Sequence, residues 1–471
     1  MERLGSVIAT AASPTVTQAT AAARAARAAG ADRVEVRLDL LAPGQDPHAL
    51  LSLAQEMPLL VSGHRDGLRP HEGPLLKRAQ SLGAWVDVPF GEAEPERAAG
   101  LDPSRLVVSW HDMDGTPPNL GGLLARLRSR RAAAYKLVFT ARDVSATLAV
   151  LSLLDRERGR GDLCAFAMGT PGCPSRILAL AWGSIAAYAS APGCEPAAPG
   201  QMALGDLLSV YRPRGLRRTG PLYALAGWPL GFTRTPSFFN PWLEQARLPG
   251  RYVPFPCTNP RELLDSGLPL AGVALTIPHK GTASSLAARA SRLVRRAGAC
   301  NTLVAEREGW IAANTDVYGV RRALAGVPRG IRTLVLGCGG AAAAAALAMG
   351  ARGPVGVAGR DDAKTKAFAF QFGAEPVSWD QRGSIAWDLL INATPVGREG
   401  DEAPYPLDAL SGRWVLDMVV REGSTPLLRA AAERGLEAIP GEGMLVPQAA
   451  LQFRLWTGRR PSTGAPMVPL P

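Results

Sequence analysis

Eight short apolar segments, separated by stretches that favour helices, fill the first 212 residues of the chain. In chain order they are LGSVIATAA, RVEVRLDLL, MPLLVSGHR, AWVDVPF, RLVVSWHD, AAAYKLVFT, DLCAFAMG and IAAYASA. Eight strands joined by helical crossovers within about 200 residues predict a (β/α)8 barrel. We therefore expect the chemistry of residues 1–212 at the carboxyl ends of these strands.

The rest of the chain predicts a second α/β unit made of two lobes. Residues 213–220, in the basic segment YRPRGLRRTG, contain proline and glycine and are interpreted as a linker. Residues 221–328 form one α/β lobe, and residues 329–443 a dinucleotide-binding (Rossmann) lobe that opens with IRTLVLGCGGAAAAAALAMG, a strand, a glycine turn and a helix. Residues 444–471, which begin with the amphipathic MLVPQAALQFRLWTG, are expected to pack back across the second unit.

The composition of the 471-residue chain is globular, with 47% hydrophobic and 20% charged residues. A run of about 18 apolar residues is absent, so we predict no membrane span. The six cysteines form no CxxC pair, which suits free thiols in a reducing cytoplasm. The net charge of +11 comes from arginines spread along the chain without a nucleic-acid recognition motif, which favours small anionic substrates as partners. The oligomeric state is left open.

Lysine is scarce in this chain. Only 5 of the 52 basic residues are lysines, at positions Lys77, Lys136, Lys280, Lys364 and Lys366. A lysine amine can lose its proton when it is desolvated and can then attack a carbonyl, whereas an arginine guanidinium at neutral pH cannot. The scarcity therefore singles out Lys136 and Lys280 for reactive roles.

Charged side chains sit near the ends of several predicted barrel strands, where a packed barrel interior would favour apolar residues. They are Glu35, Arg37, Asp39, His111, Asp112, Lys136 and Arg176. Each alone is readily explained as a surface group or a salt-bridge partner. Together they indicate an active site, because four strands aim polar groups at one mouth of the barrel.

Residues 1–212 resemble the type I 3-dehydroquinate dehydratases. The motifs that carry the resemblance are ExRxD at 35–39, a His-Asp pair ending one strand, a lysine on the next strand, SR at 175–176 and APGQ at 198–201. The resemblance implies that Lys136 forms an imine with the ketone of 3-dehydroquinate, and that His111 removes the α-proton and helps the hydroxyl leave as water. It further implies substrate contacts from Glu35, Arg37, Arg65, Arg176 and Gln201.

Two positions depart from that family's pattern. The fourth strand usually carries DxE, whose glutamate orients the catalytic histidine, but here Pro89 stands in its place. Asp87 lies two residues earlier on the same strand face and is the candidate to replace that glutamate. Ala197 stands where a substrate-binding serine is expected. These departures leave open whether the dehydratase is fully active.

The segment VLGCGGAA, which begins at Val335, lies between a predicted strand and a predicted helix. Backbone amides at such a helix N-terminus suit a pyrophosphate. The next strand ends in Arg360, where an NAD-binding chain would carry an acidic residue, so we prefer NADP. Asp361 and Asp362 follow directly and would oppose the 2′-phosphate if they pointed inward.

Residues 221–460 look like shikimate dehydrogenase. The family's motifs GWPLGFTRTP, TIPHK, CNT, NTDxxG, GCGGAA, NATPVG and GMLVPQ occur in its order. The resemblance implies that 221–328 is a substrate-binding lobe and that Lys280 and Asp316 form the catalytic pair for hydride transfer from NADPH to 3-dehydroshikimate. It implies substrate contacts from Thr233, Thr235, Thr276, Asn301 and Gln448. The implied cofactor-binding residues are Gly337, Gly339, Gly340, Ala341, Arg360, Asn392, Thr394, Gly397 and Gly441.

This half also departs from its family. The usual HSxSP, whose hydroxyls grip the substrate carboxylate, reads Phe232-Thr233-Arg234-Thr235-Pro236, so both hydroxyls remain but each carries an added methyl. Ala274 replaces an asparagine and Val420 a tyrosine. The preference between shikimate and quinate is therefore left open.

The two resemblances predict one bifunctional enzyme of the shikimate pathway for aromatic amino acid biosynthesis, which needs NADP(H) and no metal. It would dehydrate 3-dehydroquinate and then reduce 3-dehydroshikimate to shikimate. One alternative is a quinate/shikimate dehydrogenase with an impaired dehydratase domain. Another is a sensor without catalysis, which the presence of His111, Lys136, Lys280 and Asp316 disfavours.

Overall fold

The structure is a computed structural model that divides into two compact units. It describes residues 4–63, 67–69, 71–91, 94–230, 233–281 and 283–462. The first unit comprises, within these, residues 4–222 and 249–269, and the second comprises residues 223–248 and 270–462. Residues 249–269 were predicted to lie in the substrate lobe, and the division into compact units groups them with the first unit.

The first unit is built around one eight-stranded sheet. Its strands are β1 (Val7–Ala11), β2 (Arg33–Arg37), β3 (Leu59–Ser62), β4 (Trp85–Pro89), β5 (Leu106–Asp112), β6 (Ala134–Thr140), β7 (Leu163–Met168) and β8 (Ala187–Ser190). Its helices are α1 (Val16–Ala28), α2 (His48–Ser52), α3 (Glu72–Ser81), α4 (Pro95–Ala98), α5 (Leu120–Leu127), α6 (Val144–Glu157), α7 (Cys173–Trp182) and α8 (Leu204–Asp206).

The strand order of this sheet is β7-β6-β5-β4-β3-β2-β1-β8, and every neighbouring pair is parallel. β7 and β8 are the two ends of the order. The amide of Ile185, just before β8, donates to the carbonyl of Leu163 in β7 at 2.9 Å. The sheet is therefore nearly closed, and the predicted eight-stranded parallel barrel architecture is confirmed.

Helices α1 and α6 of the barrel each begin at a residue whose side chain caps the helix. Thr15 accepts a hydrogen bond from the amide of Gln18 at the start of α1, and Asp143 accepts from the amide of Ser145 at the start of α6. The buried face of α1 consists of alanines at helical spacing, namely Ala19, Ala22, Ala23 and Ala26. Small side chains let this helix lie close to the sheet.

Several strands of the barrel are buried along their whole length, as expected when helices cover a parallel sheet. Polar residues interrupt this apolar pattern at laterally paired positions. The pairs are Thr10 with Glu35, Ser62 with Asp87, and Ser109 with Lys136, and all six side chains are buried. The interior of the barrel thus contains a polar layer that packing alone would not favour.

The second unit contains the remaining strands and helices, apart from β10 and α10, which lie in residues 249–269 of the first unit. The strands are β9 (Leu222–Gly227), β10 (Arg251–Pro256), β11 (Leu270–Leu275), β12 (Arg289–Ala290), β13 (Thr302–Glu306), β14 (Gly309–Ala313), β15 (Thr333–Leu336), β16 (Val355–Gly359), β17 (Glu375–Ser378), β18 (Leu389–Asn392), β19 (Trp414–Asp417) and β20 (Glu437–Ile439). The helices are α9 (Thr235–Gln245), α10 (Pro260–Leu264), α11 (Arg292–Ala297), α12 (Asp316–Ala323), α13 (Gly340–Met349), α14 (Asp362–Phe372), α15 (Pro426–Glu433) and α16 (Glu442–Thr457).

Two sheets organise the second unit. In the first, the strand order within this unit is β9-β11-β13-β14-β12. The pairs β11–β13 and β13–β14 are antiparallel, and the pair β14–β12 is parallel. The other sheet has the order β17-β16-β15-β18-β19-β20 and is parallel throughout. This is the order of a doubly wound dinucleotide-binding fold, with β15 and β18 on either side of the point where the order reverses. The predicted Rossmann topology is confirmed.

Helix α16 returns to the lobe that contains β9, β11 and β13. Its Phe453 lies in edge-on contact with Phe239 of α9 (ring centroids 5.3 Å apart) and with Trp242 (5.9 Å). Trp456 donates from Nε1 to the carbonyl of Leu303 in β13 at 2.9 Å. The aromatic contacts fix the helix, and with it the side chains that face the site.

No helix in the part of the chain that the structure describes is long and apolar enough to cross a membrane.

Candidate active sites

A cavity opens at the carboxyl ends of the barrel strands, where the sequence predicted the first site. It has about 710 Å³ of empty volume, including the part that is open to solvent. Its lining includes the predicted site residues Glu35, Arg37, His111, Lys136, Arg176 and Gln201. Arg65 lies outside the described residues. The structure therefore gathers six predicted residues, from five different parts of the chain, around one space.

Lys136, on β6, is only 6% exposed within this cavity. Its Nζ donates to Oδ2 of Asp87 at 2.9 Å and lies 3.5 Å from Oε1 of Glu35. The ring of Tyr188 is on a third side, with its centroid 4.5 Å from Nζ. Burial alone would lower the pKa of Lys136, but the two carboxylates outweigh it and raise that pKa.

Glu35 is held in place by hydroxyl groups. Ser62 donates to its Oε1 at 2.8 Å and Thr10 donates to its Oε2 at 2.7 Å. Burial would raise the pKa of Glu35, but the charges of Lys136 and Arg37 and these hydrogen bonds lower it to about 2. Glu35 is therefore a permanent negative charge.

Arg37 and Asp39, at the end of β2, form a bidentate pair. Arg37 Nε lies 2.9 Å from Oδ1 and Nη2 lies 2.7 Å from Oδ2 of Asp39. This pairing holds the guanidinium plane at the rim of the cavity. The ExRxD motif thus supplies one buried acid, one rim cation and the acid that orients it.

His111 lies near the carboxyl end of β5. In the β5–β6 register Ser109 is the partner of Lys136, and His111 is the partner of Val138. His111 is therefore one inward-facing position nearer the mouth than Lys136. Its neighbour Asp112 is not among the residues that line the cavity. The Oδ1 of Asp112 instead accepts a hydrogen bond from the amide of Asp114 at 2.8 Å.

Asp87, the candidate to replace the glutamate that orients the histidine, contacts the lysine of this site. Its carboxylate pairs with Lys136, and Pro89 lines the same cavity two residues further along β4. The reason is depth: Asp87 pairs with Ser62 at the level of the lysine, below the histidine. The sequence showed that Asp87 faces inward but not how deep it lies.

Arg176, near the start of α7, is 1% exposed and lies with its guanidinium carbon 4.5 Å from the ring centroid of Phe166. Its Nη2 reaches the carbonyl of Pro199 at 3.4 Å, and its Nε has no hydrogen-bond partner in the described part of the chain. Burial lowers the pKa of this guanidinium. A buried cation with an unused donor suits an anionic substrate group.

Gln201 connects the last loop of the barrel to β1. Its Nε2 donates to Thr10 Oγ1 at 3.1 Å, and its Oε1 accepts from the amide of Ala197 at 2.7 Å. Ala197, which lacks the expected serine hydroxyl, is thus still held at the cavity edge through its backbone amide.

The second site centres on Lys280 and Asp316. Lys280 follows β11 in a loop, and Asp316 is the first residue of α12. Lys280 Nζ donates to Oδ2 of Asp316 at 2.6 Å. The lysine side chain is 19% exposed and the aspartate side chain 5%. The predicted pair is therefore assembled, with the amine at the surface of the site and the acid below it.

Asn301 fixes the other oxygen of that carboxylate. Its Nδ2 donates to Asp316 Oδ1 at 2.8 Å and to Oε1 of Gln448 at 3.1 Å. Thr315 donates to the same oxygen of Gln448 at 3.0 Å. Sequence reasoning missed Gln452, which donates to Thr302 Oγ1 at 2.9 Å. The available signal was its position four residues after Gln448, on the same face of α16.

The two threonines of the TRTP segment lie at the start of α9. Thr233 Oγ1 donates to Thr235 Oγ1 at 3.4 Å and accepts from the amide of Thr235 at the same distance. Their neighbour Phe232 lies outside the described residues. Thr276 lies against Gly227, where an added Cβ would be 2.3 Å from the threonine methyl. Strands β9 and β11 therefore approach closely beside the site.

The glycine turn before α13 lies directly against the second lysine. Gly337 has φ +109°, a conformation that L side chains rarely adopt. A Cβ on Gly340 would lie 3.0 Å from Lys280 Cβ and 3.3 Å from Ala299 Cβ. Gly339 caps α13 and Ala341 lies in its first turn, so backbone amides of this helix start face the space beside Lys280.

The remaining predicted cofactor residues follow the carboxyl ends of the parallel strands. Asn392 is buried; its Oδ1 accepts from the amide of Thr394 at 3.0 Å and its Nδ2 donates to Asp417 at 2.8 Å. It therefore shapes the turn and does not face outward itself. Gly397 has φ +92°, and Gly441 caps α16 against the carbonyls that follow β19.

Arg360 is exposed directly after β16. Asp361 does not oppose it in the cofactor space, because its Oδ1 caps α14 by accepting from the amide of Lys364 at 3.0 Å. Asp361 therefore does not argue against a 2′-phosphate beside Arg360. In the described residues no group of three or more His, Cys, Asp or Glu is arranged to hold a metal ion.

Comparison with protein families assigns both halves. Residues 7–217 match the family described as type I 3-dehydroquinase. Residues 225–303 match the shikimate dehydrogenase substrate binding domain, and residues 441–465 match the shikimate 5′-dehydrogenase C-terminal domain.

Known proteins resemble this chain over one half or over nearly its whole length. The shikimate dehydrogenase (NADP(+)) of Oleidesulfovibrio alaskensis is 35% identical over 252 residues, which cover 50% of this chain and 90% of that protein. The chloroplastic bifunctional 3-dehydroquinate dehydratase/shikimate dehydrogenase of Arabidopsis thaliana is 28% identical over 475 residues, which cover 91% of this chain and 78% of that protein. The solved shikimate 5-dehydrogenase of Thermus thermophilus, in complex with NADP(H) and shikimate, is 33% identical, with coverage of 51% and 95% and a TM-score of 0.48.

The match to the O. alaskensis protein spans 90% of a shikimate dehydrogenase, and the type I 3-dehydroquinase match at 7–217 lies ahead of both matches to shikimate dehydrogenase domains. The chain therefore belongs to the shikimate dehydrogenase family and carries a type I 3-dehydroquinase domain before it.

Proposed function

We propose that this chain is a bifunctional enzyme that dehydrates 3-dehydroquinate to 3-dehydroshikimate and reduces 3-dehydroshikimate to shikimate with NADPH. The observation that carries the proposal is a lysine–aspartate contact at the site of each unit, at 2.9 Å for Lys136 and Asp87 and 2.6 Å for Lys280 and Asp316. The relative from A. thaliana, whose name gives both activities, aligns with 91% of the chain.

In the barrel, Lys136 attacks the ketone of 3-dehydroquinate and forms a protonated imine. That cation withdraws electrons from the adjacent carbon. The proton on this α-carbon therefore becomes acidic enough for a neutral imidazole to remove. His111, one inward position nearer the mouth, takes this proton and delivers one to the leaving hydroxyl. Arg176 is placed to bind the substrate carboxylate through its unused Nε.

In the second unit, Lys280 delivers the proton that completes the new hydroxyl, and Asp316 holds the lysine amine in place. Asn301 holds the carboxylate from below, and Gln448 accepts a hydrogen bond from Asn301. Both residues offer the remaining polar contacts for ring hydroxyls. Thr233 and Thr235 supply the hydroxyls for the substrate carboxylate.

The residues of the parallel lobe fit NADP. NADPH supplies the hydride when it is bound. Gly337, Gly339, Gly340 and Ala341 form a turn and helix start that suit a pyrophosphate, and this turn lies against Lys280. Arg360 is exposed directly after β16, at the position where an arginine can bind the 2′-phosphate of NADP. Asp361 caps α14. The turn that contains Asn392, Thr394 and Gly397, together with Gly441, completes the proposed cofactor-binding set.

The rival functions fit less well. A sensor without catalysis has no need for a lysine–aspartate contact in each of two sites. An impaired dehydratase is disfavoured because Lys136 retains its carboxylate partners despite Pro89, and because Gln201 still holds the backbone of Ala197. We also propose that neither step needs a metal. We further propose that the chain works in a reducing compartment such as the cytoplasm, which its six free cysteines support.

The test is an incubation of the purified chain with 3-dehydroquinate and NADPH, followed by chromatography of the products. We expect shikimate to accumulate with consumption of one NADPH per shikimate. A Lys136→Ala variant supplies the matched control: it should leave 3-dehydroquinate intact but still reduce added 3-dehydroshikimate. The proposal fails if the wild-type protein converts neither substrate.

A further inference from the structure

The ammonium group of Lys136 cannot attack a ketone until it loses a proton. In the structure it is surrounded by Asp87, Glu35 and the ring of Tyr188, at 2.9 Å, 3.5 Å and 4.5 Å respectively. Burial would lower the pKa of the lysine, but the two carboxylates stabilise the charged form and raise that pKa. A nucleophile held in its unreactive state needs a built-in proton acceptor.

Glu35 is poorly suited to accept that proton. Its two oxygens already accept from Ser62 at 2.8 Å and from Thr10 at 2.7 Å, and the lysine lies at the longer distance of 3.5 Å. Its pKa is lowered to about 2 by Lys136, Arg37 and these hydroxyls, against the opposing effect of burial. A carboxylate so strongly stabilised is a weak base.

Asp87 has the opposite character. Its Oδ2 is the nearest acceptor to Nζ, and its Oδ1 is buried with no hydrogen-bond partner among the described residues. Burial raises the pKa of this carboxyl, and the positive charge of Lys136 only partly offsets that effect. Asp87 lines the cavity, so a proton placed on it stays next to the reacting atoms.

We propose that Asp87 is a further catalytic residue of the barrel, which takes the proton from Lys136 before attack on the substrate ketone and returns it when water leaves. The proposal rests on the dehydratase function proposed above. It assigns imine formation to Asp87 and the later elimination to His111.

The proton transfers balance without any added reactant. Asp87 takes one proton from the ammonium, and the free amine forms the C–N bond as the carbonyl π bond breaks. A second proton moves from this nitrogen to the former carbonyl oxygen and gives a neutral carbinolamine. Asp87 then protonates the hydroxyl, the C–O bond breaks, water leaves and a protonated imine remains beside the ionised carboxylate.

A carboxylate that served only as a counter-ion would have the opposite effect on the rate of imine formation. Its removal would favour the neutral amine, so imine formation would stay the same or become faster. Removal of a proton acceptor and donor slows the same step, by about 100-fold for a typical general acid–base group. The sign of the change therefore separates the two roles.

The experiment mixes enzyme and 3-dehydroquinate, quenches with borohydride after increasing times, and measures the mass of trapped protein. We compare the wild type with Asp87→Asn, which keeps the size of the side chain, and with Asp87→Ala in the presence and absence of formate. Thermal unfolding of each variant checks that it is folded. We expect trapping to be about 100-fold slower in Asp87→Asn and partly restored by formate in Asp87→Ala.

Trapping in Asp87→Asn at the wild-type rate or faster overturns the proposal. Should Asp87→Asn not fold, a folded Asp87→Ala whose trapping is as fast as wild type, or slow and unmoved by formate, overturns it equally. A wild-type enzyme that traps no substrate at all contradicts the dehydratase function itself, which is a different result from either of these.

Discussion

The two active sites each place a lysine beside an aspartate, but they surround the lysine differently. Lys136 lies inside the barrel with two carboxylates near its amine, and its side chain is 7% exposed. Lys280 lies on a loop with one carboxylate near its amine and 19% exposure. In the first site the aspartate has an unused buried oxygen, whereas in the second both oxygens of Asp316 are bound.

This difference matches the two kinds of chemistry. A nucleophile that forms a covalent bond benefits from exclusion of water and from a base that can take its proton. A proton donor benefits from a fixed, permanently charged partner and from access to the cofactor. The side-chain pair alone therefore does not determine the reaction; the environment of the aspartate does.

The largest effect is expected when the nucleophile Lys136 is replaced by arginine, which has the same charge. Lys136→Arg keeps a cation between Asp87 and Glu35 but cannot form an imine at neutral pH. We expect dehydration of 3-dehydroquinate to fall by about 1,000-fold or more, with reduction of 3-dehydroshikimate unchanged. Product analysis with each substrate supplied separately measures both. Substantial dehydration by this variant would mean that the barrel does not use an imine.

A smaller loss is expected at the other lysine. Lys280→Met removes the proton donor but no covalent intermediate, so kcat for reduction should fall by about 100- to 1,000-fold. The KM for 3-dehydroshikimate should change less, and dehydration in the same molecule should be unaffected. NADPH consumption at saturating substrate measures this effect. A loss confined to KM would show that Lys280 binds substrate without taking part in proton transfer.

A smaller effect is expected at Asn301, which holds the carboxylate of Asp316. Asn301→Ala leaves Oδ1 of Asp316 and Oε1 of Gln448 short of a donor, so we expect kcat for reduction to fall about tenfold and the free energy of unfolding to fall by about 1–3 kcal/mol. Chemical denaturation and steady-state kinetics measure the two changes.

Asn259→Ala is the matched control for this change, because that asparagine caps α10 at the surface. It should cost about 1 kcal/mol of stability and leave reduction intact. Equal kinetic effects of the two variants would contradict a positioning role for Asn301.

The smallest effect probes the contact between the glycine turn and Lys280. Gly340→Ala adds a Cβ 3.0 Å from Lys280 Cβ, which forces a small displacement worth about 1 kcal/mol. We expect kcat/KM for NADPH to fall about fivefold, with dehydration unchanged. Gly121→Ala, in α5 of the barrel, has its nearest contact at 3.8 Å and should alter neither activity. An unaffected Gly340→Ala would mean that the turn does not position the lysine.

Much of the architecture was predictable because strand and helix periodicities are local. The eight strands of the barrel and the glycine turn before α13 followed from residue patterns and turn chemistry.

The residues that belong to each site were predictable, but how deep each side chain lies in the fold was not. Alternation along β4 showed that Asp87 faces inward, and only the strand register shows that it reaches Lys136. Tyr188 was missed for the same reason, since an aromatic residue in a barrel strand is typical of an ordinary core. Contacts between strands distant in sequence depend on stagger, which a single sequence does not encode in any local pattern.

The most direct measurement is peptide mass mapping after borohydride reduction of the enzyme in the presence of 3-dehydroquinate. The account predicts a ligand-derived mass on the peptide that contains Lys136 and none on the peptide that contains Lys280, although both lysines lie beside an aspartate. Labelling of the Lys280 peptide, or an unlabelled Lys136 peptide from enzyme that is turning over 3-dehydroquinate, would contradict it.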